Sequence, residues 1–162
     1  MPAKEEKSDN VSKEYKAALN KAESYANMMH MSKKGIYNQL VSEYGEKFPE
    51  DAAQYAIDNL QVDWNKNALE KAKDYATTMA MSKRGIYDQL ISEYGENFTE
   101  EEAQYAIDNL KIDWNKNALQ KAKDYQNMMD MSKESIREQL VSEYGEKFTE
   151  EEANYAIENL DD

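Results

Sequence analysis

Cysteine is absent from the 162 residues, so disulfides, thiolate nucleophiles and sulfur-bound metals are excluded. Only two prolines and five glycines punctuate the chain. The glycines stand alone, so no phosphate-cradling glycine loop can be drawn, and the alternating acids of a calcium loop are missing too. The one histidine, His30, occupies a position held by Ala80 and Asp130 in later copies of the same pattern, and it reads as a surface residue. No apolar run approaches the roughly 20 residues needed to cross a bilayer, and the opening residues do not form a signal peptide. Positive charge is also scarce: 20 Lys and Arg face 33 Asp and Glu, for a formal charge of −13. Such a chain is repelled by nucleic acid and by anionic membrane surfaces, which leaves basic or amphipathic polypeptides as its macromolecular partners.

What is present is repetition. "YGEKFPEDAAQYAIDNL", "YGENFTEEEAQYAIDNL" and "YGEKFTEEEANYAIENL" follow one another at a strict spacing of 50 residues. Leu19, Leu69 and Leu119 align, as do Met31, Met81 and Met131, and Gly45, Gly95 and Gly145. A period of this size is the mark of a repeat array. The copies are taken as residues 16–65, 66–115 and 116–162, after a small, polar and charged lead-in, residues 1–15, expected to be flexible. Negative charge increases from the first copy to the third.

Each copy reads as three short helices. In the middle one, Ala68, Ala72, Tyr75 and Met79 fall on one face at helical spacing, with Asp63 before them as a cap. A second helix follows the cap residue Ser82, with Ile86, Leu90, Ile91 and Tyr94 as its apolar stripe. Gly95 is expected to end it in a left-handed conformation. Thr99 and Glu102 have capping-box spacing at the start of a third helix, and Phe98 is placed to staple onto Ala103. The fold class is therefore all-α, a tandem array of three homologous three-helix repeats, each marginal alone at this size. Trp64 and Trp114 occur only where copies meet, so their rings should bridge neighbours.

These residues carry a resemblance. The string "MSKKGIYNQLVSEYGEKFPEDAAQYAIDNLQVDWN" and its counterpart around "ALEKAKDYATTMAMSKRGIYDQL" resemble the host cell surface-exposed lipoprotein repeat, the Ltp type of temperate phages of Gram-positive bacteria and their hosts. The shared features are the Ser-x-x-Gly-Ile opening of helix two, the Gln-Leu within it, the Phe-Thr-x-Glu-Glu-Ala-x-Tyr-Ala start of helix three and the Asp-Trp-Asn junction. They extend over about 145 residues. The resemblance implies compact repeats likened to helix-turn-helix motifs. It also implies a lipoprotein on the outer face of the cytoplasmic membrane that excludes superinfecting phage. The implied partner is the phage tape measure protein, and the implied consequence is blocked DNA injection. The family's export signal and lipidated cysteine are not among these residues, so the chain is expected to be a soluble form, meeting the membrane only through such an anchor. A host surface protein with a structural or adhesive role is the alternative.

Several sites can be weighed. In a helix-turn-helix the third helix would enter the major groove, but here it leads with Glu100, Glu101 and Glu102, which oppose phosphate. Acid pairs such as Glu43 with Glu46 sit at helical spacing in a charged chain and read as a solvated face rather than an acid–base couple. No enzymatic activity, cofactor or metal is expected. Most methionines are expected in the core. The acidic corner is the functional candidate: Glu43 and Glu46, Glu93 and Glu96, Glu143 and Glu146, each pair followed by the acids that open helix three. Acids there favour the helix dipole, a local reading, but they would equally suit a basic partner. Tyr37 and Tyr87 complete the candidate surface, because Arg137 replaces them in the third copy and a core position would seldom accept Arg.

Overall fold

The computed structural model of the protein describes residues 11–162. Among the described residues the regular structure is α-helical throughout, in three consecutive three-helix units. The first unit is α1 (Lys13–Met28), α2 (Lys33–Val41) and α3 (Glu50–Asn59); the second is α4 (Trp64–Thr78), α5 (Lys83–Ile91) and α6 (Glu100–Asn109); the third is α7 (Trp114–Met129), α8 (Lys133–Val141) and α9 (Glu150–Asn159). Most of the expected flexible lead-in lies outside the described residues. Its end does not: Ser12 caps α1 by accepting from the Tyr15 N–H, so the helix starts at Lys13. The units part at residues 60–63 and 110–113, slightly before the divisions read from the sequence. Asp63 and Asp113 accept from the N–H groups of Lys66 and Lys116 and so cap helices that begin at the tryptophans.

Inside a unit the first and third helices pack face to face, and the second lies across both. Small side chains allow the close approach. Ala18, Ala22 and Ala26 of α1 are buried, and so are Ala52, Ala53 and Ala56 of α3. The second helix supplies the bulk, with Ile36 and Leu40, Ile86 and Leu90, and Ile136 and Leu140 all at 0 % exposure. Capping fixes the ends. Ser32, Ser82 and Ser132 cap the second helices, while Thr99 with Glu102 and Thr149 with Glu152 form full capping boxes. Each such cap contributes about 1 kcal/mol.

Two sequence expectations are corrected. Gly95 is not left-handed; no glycine has positive φ. The residues that turn left-handed are Lys47, Asn97 and Lys147, two positions further on. The helix has already ended at Ile91, and the following turn folds back so that Glu96 and Phe98 donate to the Gln89 and Leu90 carbonyls. Glycine is needed for proximity, since a Cβ at Gly95 would lie 2.5 Å from the Gln89 carbonyl oxygen. The methionines also divide. Met31 and Met81 pack against their unit cores, but Met28, Met29, Met79, Met128 and Met129 are exposed. They sit at the C-terminal end of each first helix. There His30, Ala80 and Asp130 take positive φ, and the next residue's N–H reaches back to Tyr25, Tyr75 or Tyr125.

Candidate functional site: the grooves between units

Neighbouring units are joined by a repeated set of polar contacts. The Asn67 side chain donates to the carbonyls of Ala26 and Met31, 3.0 and 2.9 Å away, and Asn117 does the same to Ala76 and Met81. Both reach the end of the previous unit's first helix, where carbonyls lack intrahelical donors. The Ser32 hydroxyl donates to the Glu96 main-chain carbonyl and Ser82 to that of Glu146. Ser32 and Ser82 are almost fully buried in consequence. Trp64 packs against the core of the first unit and Trp114 against that of the second, so each ring lies across a junction as expected.

These contacts leave a groove at each junction. The first, of about 810 Å³, has Tyr37, Ile57, Ile91 and Phe98 for its floor, Lys33 and Lys34 on one side, and Glu93, Glu100 and Glu102 on the other. The second, of about 460 Å³, is lined by Tyr87, Ile107 and Phe148 with Lys83, Arg84, Lys147 and Glu152. Two ion pairs span this second junction. Arg84 grips Glu143 through two bonds of 2.8 and 2.9 Å, and Lys147 meets Asp88 at 2.5 Å. The corresponding pairs at the first junction are Lys34 with Glu93 and Asn97 with Asn38, and among the described residues no ion pair crosses there. The Arg84 guanidinium holds the Glu143 carboxyl below the usual carboxylate range. That lowered value means the clamp is present at neutral pH and is lost as pH falls through it.

The structure divides the acidic corner. Glu46, Glu96 and Glu146 face inward: their carboxylates accept from the hydroxyls of Tyr25, Tyr75 and Tyr125 and lie near Lys21, Lys71 and Lys121 at 3.4, 3.6 and 3.8 Å. The Tyr25 hydroxyl, ahead of Lys21, holds the Glu46 carboxyl below its usual range. Glu43 and Glu93 remain exposed, and of these Glu93 lines the first groove. Tyr37 and Tyr87 are half-buried groove floor rather than freely exposed anchors. The tyrosines that stand free are Tyr44, Tyr94 and Tyr144, each above 90 % exposure in the turn after the second helix. Tyr75, read in the sequence only as part of a helix face, together with Lys71 and Asn67, joins the site through contacts between distant residues. The signal for Asn67 was present: Asn67 and Asn117 accompany the junction tryptophans, whereas the first copy has Ala17.

Burial first, and then the bond to the carboxylate, raises Tyr75 and Tyr125 to about 12. A raised tyrosine pKa favours the neutral, folded form, so this contribution is whole below pH 10 and is lost as pH rises towards 12. Thermal midpoints measured across that range should fall, and the Tyr75→Phe/Tyr125→Phe variant should show a flatter decline. An unchanged slope would remove these tyrosines from the stability of the corner.

Among the described residues no cluster of acids and histidine could hold a metal ion, and every buried side-chain polar atom has a partner. None of the described helices is long and apolar enough to cross a membrane.

The family model described as host cell surface-exposed lipoprotein matches residues 13–60, 63–110 and 113–160. The chain belongs to this family. The matched segments coincide with the three structural units, since each runs from the residue at or beside the first-helix cap to the leucine after the third helix. A solved structure described as Ltp, a superinfection exclusion protein from the Streptococcus thermophilus temperate phage TP-J34, is similar with 50% identity and a TM-score of 0.56. That likeness covers 63% of this chain and 100% of the other. No curated protein matches.

Proposed function

We propose that this family member is a superinfection exclusion protein. In this reading it stands as a lipoprotein on the outer face of the cytoplasmic membrane of a Gram-positive bacterium. There it captures the phage tape measure protein and stops DNA injection. The observation that carries the reading is the 50% identity to the phage TP-J34 exclusion protein over that structure's whole length. The groove of the first junction supports a binding mechanism. Its apolar floor and charged rims suit an amphipathic helix laid along it, with basic residues against Glu93 and Glu100. The second groove adds a weaker contact on the same chain, raising affinity through effective concentration. In this reading no bond is made or broken.

The test is a phage challenge of cells displaying the chain on their outer face, with adsorption and DNA uptake followed separately. The expected result is normal adsorption with uptake blocked. Blocked adsorption would place the action at the receptor and overturn the proposed step, and unhindered uptake would overturn the function.

A further inference from the structure

The third unit departs from the other two at the face that elsewhere forms the junction. We propose that this face, built on Gln126, Glu134, Ser135 and Arg137, is closed to the docking of a further unit of the kind that packs at the other two junctions.

Ser132 caps the second helix of the third unit. Its equivalents Ser32 and Ser82 do two things at once: each accepts from a glycine N–H, of Gly35 or Gly85 at 3.0 Å, and donates to a carbonyl of the next unit. Glycine leaves the hydroxyl the room for this position. A Cβ at Gly35 would lie 2.8 Å from the Ser32 oxygen, and one at Gly85 would lie 2.9 Å from that of Ser82. The third unit has Ser135 there, and the bond from its N–H lengthens to 3.2 Å. The Cβ of Ser135 takes up space beside the Ser132 hydroxyl that glycine leaves free at the two junctions.

The charges point the same way. Glu134 stands where Arg84 grips Glu143, so an incoming unit bearing the usual glutamate would meet like charge. Arg137 stands where Tyr37 and Tyr87 make the groove floor, and its Nε donates to Asn154 at 2.9 Å. Gln126 replaces Ala26 and Ala76, both buried, whose carbonyls receive the junction asparagines, and it turns its amide to the Asp161 carbonyl at 2.9 Å. Four junction positions, each altered against docking, give this face a chemistry of its own.

The test appends a copy of residues 63–112 to Leu160 through Lys-Ile, the linker used at 111–112. One chain keeps the native face. The other carries Gln126→Ala, Ser135→Gly and Arg137→Tyr, the residues of the first two units, and Glu134→Arg, the residue of the second. Backbone NMR relaxation reports whether the added unit tumbles with the array, and circular dichroism of the three-unit chain with the same four changes verifies its fold. Docking on the altered face, with loss of common tumbling on the native one, is the expected result. Docking on both faces would show that the native one is open. Docking on neither, with the fold intact, would show that these four residues do not decide it. Either outcome overturns the proposal.

Discussion

Leu90→Ala should unfold the middle unit and leave its two neighbours uncoupled. Leu90 is fully buried at the centre of a core that it shares with Ile86, Phe98, Ile107, Leu110 and closely packed alanines. Removing it costs about 3–4 kcal/mol, because alanines already at close approach cannot move in to fill the space. A unit of this size has only about 2.5–7 kcal/mol to lose, taking ordinary stability per residue. The consequence is not local. Units are held mainly to their sequence neighbours, through Asn67 and Ser32 on one side of the middle unit and Asn117 and Ser82 on the other. Loss of the middle unit therefore removes both junctions, whereas Leu140→Ala at the end removes one. Hydrogen exchange followed by mass spectrometry should show protection collapsing in residues 64–110 for Leu90→Ala, and in 114–160 alone for Leu140→Ala. Equal effects from the two would mean that the array folds as one undivided body.

The comparison of sequence with structure divides along the same line. Caps, helix faces and the repeat are set by residues within a few positions of one another. Asp63, Ser82 and the Thr99–Glu102 box perform the capping roles their spacing implies. The corner was less legible. Glu96 and Tyr75 are 21 residues apart in sequence, and only the packing of the first helix against the turn after the second brings them together. A glutamate neutralised in this way looks, in sequence, like one waiting for a partner. Gly35 and Ser135 show the opposite case. The difference between copies was visible, but its reason lies 64 residues away, at the carbonyl Ser32 must reach. The grooves share that origin, since their walls come from different units.

Closing the first groove should abolish exclusion without harming the fold. The second junction shows how: Lys34→Arg, Asn38→Asp and Asn97→Lys would give the first junction the two ion pairs that span the second. Surface pairs of this kind are worth about 0–1 kcal/mol each, so stability should rise slightly or hold. The groove, in contrast, would shrink towards the 460 Å³ of its neighbour. A helix needs a cleft it can enter, so the effect on binding should far exceed the effect on stability. A second variant separates shape from charge. Glu93→Lys with Glu100→Lys leaves the groove open and leaves the Glu102 capping box in place. Reversing two rim charges should weaken a basic partner by about 2–3 kcal/mol, a factor of roughly 30–150 in affinity, and should do so less at high salt. Plaque counts on cells displaying each variant, with surface amount matched, provide the readout. Full exclusion by both variants would move the working surface away from this groove and towards the free tyrosines Tyr44, Tyr94 and Tyr144. Loss of exclusion in the clamped variant alone would make shape, rather than charge, the basis of recognition.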